Sequence, residues 1–330
     1  MEHVRLGTTG LLVSKLCLGT MTFGLQSDEA TSGSILNRAD EGGITFIDTA
    51  DVYPLGGDLS TVGRTEEIIG TWLQGKRDRF VVATKCSGRT GPAAWEKGNS
   101  RKHILDAVES SLRRLRTDHI DLYQLHGPDP GTPIDETLGA LDDLVHSGKV
   151  RYVGCSNFLA YQVARALGRS EALSLVRFSS VQPRYNLLFR QVERELLHLC
   201  REEGLGVIPY NPIAGGLLSG KHNGSAPPLE GTRFTIGNAG DLYQQRYWHD
   251  REFGTVAELR KVAEREGIPL VTLSVAWVLA NPSVTAPIIG ASRPEQLDAS
   301  LAAAELAISA ELKDELDELT RDYRLGDAAR

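Results

Sequence analysis

Four side chains that could together move a proton to or from an oxygen lie in the first part of the chain. Asp48 and Tyr53 stand in ITFIDTADVY, Lys85 in VVATKC and His126 in LYQLHG. A free phenol titrates near about 10, too high for ready proton transfer at neutral pH. A neighbouring ammonium favours the phenolate and lowers that value, and a carboxylate beside the ammonium keeps it charged and fixed. An imidazole within reach can orient a substrate oxygen or share the proton. The set suits a general acid acting on a carbonyl, with the oxygen held within about 3 Å of both Tyr53 and His126. Each residue alone has an ordinary reading: a helix cap, a loop aromatic, a solvated charge, a structural histidine. What singles them out is position, since each stands at or just beyond the end of a short apolar run.

Those runs are the elements that must position the four. Eight are expected as strands from their length and β-branched content: 17–19, 44–47, 80–84, 119–124, 150–155, 178–182, 206–209 and 286–289. Between most of them lie amphipathic stretches. KHILDAVESSLRRLR, residues 102–116, has apolar residues at Ile104, Leu105, Val108, Leu112 and Leu115, close to a 3.6 period. Helices are also expected near 28–41, 64–74, 135–147, 158–168, 191–203 and 254–267, and one or two over 294–322.

Repeated strand–helix alternation implies parallel strands with helical crossovers. Eight units in 330 residues suit a closed (β/α)8 TIM barrel better than a doubly wound sheet. No G-x-G-x-x-G follows the first strand. The prelude VRLGTTGLLVSKL reads as an N-terminal β-hairpin that plugs the lower end. The expected organisation is a single α/β barrel domain over 1–330, with extra C-terminal helices and long loops at 86–100, 126–133 and 221–250.

Chemistry on such a barrel sits at the C-terminal strand ends. These ends carry Asp48, Lys85, His126, Ser156 with Asn157, Gln182, Tyr210 with Asn211, and the Gly290–Ser292–Arg293 stretch. His119, at a strand start, and His103, His146 and His198, on helices, are expected to be structural. Net charge is −7 with no block of like charges, so a footprint for nucleic acid is not expected. No apolar stretch is long enough for a membrane span. The opening MEHVRLGTTG lacks the apolar core of a secretory signal. The four cysteines form no CxxC pair, so neither a metal site nor a disulfide framework is expected, and a cytoplasmic setting fits.

Taken together, LGTMTFG, GITFIDTADVY, VVATK, DHIDLYQLHGPD, GKVRYVGCSNF, VQPRYNLL and GVIPYNPIAGGLLSGK give a sequence that resembles the aldo-keto reductase superfamily over essentially its whole length. It is most similar to bacterial members of the group that contains potassium-channel β subunits and deoxysugar ketoreductases. The resemblance implies Tyr53 as proton donor, Lys85 and Asp48 as the pair that tunes it, and His126 as the residue orienting the carbonyl. It implies NADP(H) as cofactor. Ser156, Asn157 and Gln182 would hold the nicotinamide carboxamide, and Tyr210 would stack on the ring. The stretch Asn211, Pro212, Ile213, Ala214, Gly216, Leu218, Gly220 and Lys221 would cover the pyrophosphate. Gly290, Ser292, Arg293 and Gln296 would meet the adenosine 2′-phosphate and adenine, with Lys221 and Arg233 near the phosphates. Gly19, Thr20, Met21 and Asp48 complete the implied cofactor contacts.

Arg293, expected at a helix start, is suited to a phosphate by charge and by the helix N-terminus, which favours NADP over NAD. Ala299 and Ser300 stand where related members often carry Glu and Asn, which implies a looser adenine grip. GGLLSGKH, residues 215–222, falls short of a P-loop, because His222 stands where Ser or Thr would hold magnesium. The expected reaction is hydride transfer from NADPH to an aldehyde or ketone. The alternative is an NADPH-binding, redox-sensing regulatory subunit with slow turnover. Trp95, Tyr53, and Tyr243, Tyr247 or Trp248 of the loop 221–250 are the candidates to line the pocket, the alternative being loop aromatics that pack on the barrel. Neither the particular carbonyl substrate nor the oligomeric state is legible in the sequence.

Overall fold

Period-2 alternation inside short, β-branched runs and a 3.6 period between them dictate the architecture. The computed structural model describes residues 1–224 and 226–325. An antiparallel hairpin, β1 (His3–Arg5) with β2 (Leu12–Ser14), precedes eight parallel strands. These are β3 (Cys17–Gly19), β4 (Phe46–Asp48), β5 (Val81–Cys86), β6 (Ile120–Leu125), β7 (Val150–Ser156), β8 (Ser180–Gln182), β9 (Gly206–Val207) and β10 (Ile288–Ile289). Their spatial order is β10-β3-β4-β5-β6-β7-β8-β9. The ring closes between β9 and β10, where Ile288 N donates to Pro209 O at 2.8 Å and Tyr210 bridges Ile288. This is the (β/α)8 barrel expected from the alternation, with every run in its expected place.

Side chains that point inward alternate along each strand. Leu6 and Val13 of the hairpin pack with Cys17, Phe46, Ala83 and Leu122 in an apolar lower layer of the barrel. The hairpin is therefore the plug that the prelude implied. Two residues further along each strand, the inward positions are Gly19, Asp48, Lys85 and Gln124. Register sets Gly19 beside Asp48 and Lys85 beside Gln124. The larger core lies outside the strands, between them and the helices.

The helices are α1 (Glu29–Glu41), α2 (Arg64–Trp72), α3 (Arg101–Leu115), α4 (Ile134–His146), α5 (Ala160–Leu173), α6 (Leu196–Glu202), α7 (Gly237–Tyr247), α8 (Asp250–Glu266), α9 (Leu270–Leu279), α10 (Leu297–Ala303) and α11 (Ala310–Leu319). Asp28, Ser100 and Ser309 cap α1, α3 and α11 by accepting backbone N–H bonds. The last two are the expected C-terminal helices. Two others depart from the expectation. The loop 221–250 contains α7, and α9 was not anticipated. Its sequence LVTLSVAWVL is apolar all round because nearly all of its residues are buried, so it lacks the amphipathic stripe that marks a surface helix.

The crossing of α2 and α3 depends on Gly70, where a Cβ would press into the backbone of Arg114 and Leu115. Gly70→Ala should therefore destabilise the fold by roughly 1–3 kcal/mol through overpacking. Urea denaturation measures this, and a variant as stable as the parent would refute the packing argument.

Candidate functional site

The upper inward layer converges on one buried carboxylate. Lys85 Nζ, fully buried, donates to Asp48 Oδ2 at 2.6 Å and to Thr49 O at 2.7 Å, and lies 3.5 Å from the Tyr53 hydroxyl. Asp48 Oδ1 accepts from Gln182 Nε2 at 2.8 Å and from Gln124 Nε2 at 3.1 Å. Both carboxylate oxygens are thus satisfied, as a buried charge requires. The Tyr53 and His126 rings meet edge to face, with centroids 5.7 Å apart. Asp48, Tyr53, Lys85 and His126 therefore assemble at one point, from β4, the loop after it, β5 and the end of β6.

Electrostatics differ in one respect from the expectation. Burial by itself works against the Lys85 ammonium, but Asp48 and Tyr53 outweigh it and hold the amine above its usual range. Burial is also the largest influence on the Tyr53 phenol, and here it wins. Lys85 pulls the phenol down as anticipated, Asp48 and Tyr243 push it up, and the net value lies above the ordinary one. The counter-carboxylate that fixes Lys85 also cancels much of its field at the phenol. The Tyr53 phenol is therefore protonated at neutral pH. Burial, assisted by the Lys85 charge, lowers His126 to about 3, so its imidazole is neutral.

The far arc of the mouth, from β7 round to β3, carries the other sequence-designated residues. Ser156 Oγ donates to Gln182 O at 2.9 Å, and Asn157 Nδ2 donates to Ser156 Oγ and to His126 O. The Tyr210 hydroxyl donates to Asn157 Oδ1 at 2.8 Å. Thr20 Oγ1 donates to Asp48 O at 2.9 Å and locks the end of β3 to β4, while Gly19 admits no Cβ because Ile288 lies against it. Ser292 N and Oγ both donate to Gln296 Oε1, which closes the turn at the end of β10. Arg293 starts a single 3-10 turn, Pro294–Gln296, that runs into α10.

Between them, 211–220 forms a backbone unlike an ordinary loop. Asn211, Ala214, Gly215, Gly216 and Gly220 all have positive φ, and around Gly216, at φ 104°, the space is open. The turn is closed by its own backbone: Ala214 N donates to Asn211 O, Gly216 N and Leu218 N to Ile213 O, and Gly220 N to Leu217 O. Asn211 Nδ2 is buried with no partner. Lys221 is drawn below its usual range by burial and by the nearby Arg293 charge. Lys221, Arg233 and Arg293 have no carboxylate partner among the described residues. A trough with an unpartnered amide, an open glycine and crowded cations fits a long ligand with phosphates and a polar edge.

A lid folds over this trough. Gly237, at the start of α7, abuts Gly56 beyond Tyr53, and the Tyr243 hydroxyl lies 3.3 Å from Asn211 Oδ1. Tyr243 and Tyr247 are buried, and Trp248 packs on Phe234, His222 and Phe253. Tyr243, Tyr247 and Trp248 thus take the packing alternative and form the lid's own core, while Trp95 stands exposed. The sequence reading also missed two residues that the site uses. Gln124 shares strand parity with His126, which was the available signal. Ser87, at φ 111°, accepts from His126 N through its Oγ at 3.1 Å, and no local pattern announced it.

Comparison with known proteins agrees with this architecture. The aldo/keto reductase family model matches residues 15–321. An oxidoreductase of Bacillus subtilis, YrpG, is 40% identical over 320 residues, covering 94% of each chain. A probable voltage-gated potassium channel subunit beta of Arabidopsis thaliana is 36% identical over 93% of this chain and 92% of its own. A versiconal hemiacetal acetate reductase of Aspergillus parasiticus is 31% identical over 94% of each. Likeness of this extent, on a barrel that gathers its polar side chains at the strand ends, places the chain in the aldo/keto reductase family of carbonyl-reducing oxidoreductases.

Proposed function

We propose that the protein reduces an aldehyde or ketone to an alcohol with NADPH, and that Tyr53 is the general acid. The observation that carries this reading is the Tyr53 hydroxyl, 3.5 Å from a Lys85 ammonium that Asp48 holds in place. The cofactor, when bound, supplies the hydride to the carbonyl carbon. Tyr53 gives its proton to the carbonyl oxygen as negative charge develops there, and Lys85 stabilises the phenolate left behind. His126, neutral at working pH, donates a hydrogen bond to the same oxygen and orients it. Asp48, with Gln124 and Gln182 upon it, keeps Lys85 charged and fixed.

In this reading Asn157 and Ser156 exchange their present bonds for the carboxamide, Gln182 meets it through Oε1 while its Nε2 stays on Asp48, and Tyr210 offers its ring face to the nicotinamide. The left-handed run at 211–220 receives the pyrophosphate. Arg293, with Lys221, receives the 2′-phosphate. Ser300 is buried, and Ala299 turns its carbonyl to Thr272, so neither offers a polar side chain to adenine and the cofactor exchanges readily. Arg293→Ala should reduce the preference for NADPH over NADH by roughly tenfold, the worth of one charge-assisted bond. Cofactor titration by fluorescence measures it, and an unchanged ratio would remove Arg293 from that role.

The test of the whole is NADPH oxidation, followed by absorbance against a panel of aldehydes and ketones. Absence of carbonyl-dependent NADPH oxidation across the panel, ketones included, would refute the enzyme. The likeness to a channel β subunit favours a second reading, in which the protein binds NADPH, turns over slowly and acts through a partner. Tight NADPH binding with negligible steady-state turnover would select it.

A further inference from the structure

The loops after β5 and β6 line an open cavity of about 690 Å3 that reaches His126. That is the size of a small-molecule site. Its base is fixed, because Gly98 N donates to Ser87 O at 2.8 Å and Asn99 Nδ2 donates to Gly127 O at 2.9 Å. His126 lines the cavity, its ring edge to face with that of Tyr53, and Gly88 of the same lining lies against Val52, the neighbour of Tyr53. A carbonyl held by Tyr53 and His126, with the dinucleotide on the opposite arc, has this cavity in which to place its substituent.

The walls are not neutral. Trp95, 57% exposed, presents an aromatic surface. Arg89 and Lys97 line the same cavity. Arg89 Nη1 donates to Gly91 O and Ala93 O at 3.0 and 3.1 Å, which holds the guanidinium over the loop and leaves its other nitrogens without an acceptor among the described residues. The lining carboxylate, Asp129, is engaged elsewhere: Oδ2 accepts from Asn99 N and Thr132 Oγ1, and Oδ1 from Gly131 N. Lys97 acts on Asp129 through space but makes no ion pair with it. Glu96, beside them in sequence, turns its carboxylate to Ala93 N. His126 adds no charge, being neutral. A positively charged, aromatic-walled cavity thus stands on a chain whose net charge is −7.

Resting on the carbonyl-reductase reading, we infer that this cavity selects carbonyl substrates bearing an anionic group, a carboxylate or a phosphate, on a flat or apolar body. Trp95 packs the body, Arg89 holds the anion, and Lys97, partly offset by Asp129, adds to the field. Arg suits this task because its planar fork meets an oxyanion with two parallel bonds.

The test compares 4-formylbenzoate with its neutral methyl ester, both with saturating NADPH at low ionic strength. The carboxylate should be preferred by about fivefold in kcat/KM, expressed in KM, with the preference shrinking as salt is raised. Arg89→Gln, which keeps amide donors for the loop carbonyls, and Lys97→Gln should each lower the carboxylate-to-ester ratio, and together bring it near unity. Glyceraldehyde 3-phosphate against glyceraldehyde separates phosphate from carboxylate as the favoured anion. An ester reduced as well as the carboxylate, or a ratio untouched in the double variant, overturns the anion subsite and leaves the reductase standing. No reduction of any of the four aldehydes overturns the subsite, and no turnover of the wider aldehyde and ketone panel overturns the reductase reading with it.

Discussion

Tyr53→Phe should lower kcat for aldehyde reduction by roughly 10²- to 10⁴-fold, the span expected when a positioned general acid is removed. NADPH affinity should stay close to that of the parent. The substitution takes away one oxygen and leaves the ring, so the edge-to-face contact with His126 and the packing beneath the lid persist. Steady-state assay and cofactor titration on the same preparation separate the two effects. Turnover within threefold of the parent would remove Tyr53 from the chemistry.

The pH profile gives the same assignment a second check. Reduction needs the protonated phenol, and burial raises Tyr53 above its ordinary value. The rate should therefore be flat from about pH 5 to about pH 8 and fall only in strong alkali. His126, lowered to about 3, contributes no acidic limb in that window. Alcohol oxidation, which needs the phenolate, should rise with pH. For stability the His126 sign is opposite to that of an ordinary ion-paired histidine. Between its ordinary value of 6.5 and the folded value of about 3, the unfolded chain binds the extra proton. The native state is therefore at full advantage above that window and loses ground as pH falls through it.

Lys85→Met is the substitution expected to cost most in stability, about 3–5 kcal/mol, the range for breaking one side of a buried pair. It leaves the Asp48 carboxylate in a closed barrel with only the Gln124 and Gln182 amides upon it. Activity should be lost as well, since the phenolate formed at Tyr53 has no cation beside it. Combining Lys85→Met with Asp48→Leu removes the orphaned charge together with its partner. That double variant should recover much of the lost stability but none of the activity. Chemical denaturation of the four proteins in the cycle measures the coupling. A Lys85→Met protein that loses less than about 1 kcal/mol would show that the pair is not the buried, mutually dependent unit described above.

Much of this site was legible one residue at a time. Asp48, Lys85, His126, Ser156 and Gln182 each close a run whose composition marks it as a strand, and a barrel presents strand ends at one mouth. Gln124 was legible in principle, as the last residue of the run 119–124 and in parity with His126, which took the assignment instead. Ser87 was not legible, because a positive φ at a serine is imposed by the loop that bonds back onto it. Trp95 and the tyrosines of the lid looked alike in sequence, since an aromatic in a long loop can either face a ligand or pack the loop upon itself. The helix α9 escaped because burial on every side erases the periodicity by which helices are recognised.

Local chemistry along the chain settled the alternation of strand and helix, the hairpin plug and the identity of the polar side chains at the mouth. These follow from short-range propensity and from the inward–outward pattern of each strand. Tertiary structure alone decided the charge balance. The field of Lys85 at Tyr53 is outweighed by burial, with Asp48 and Tyr243, some 190 residues further on, adding to the rise. It also decided that Arg89 and Lys97 share a cavity while Asp129 is occupied elsewhere. Such sums depend on distances among residues remote in sequence and on the exclusion of water, and neither exists until the barrel has closed.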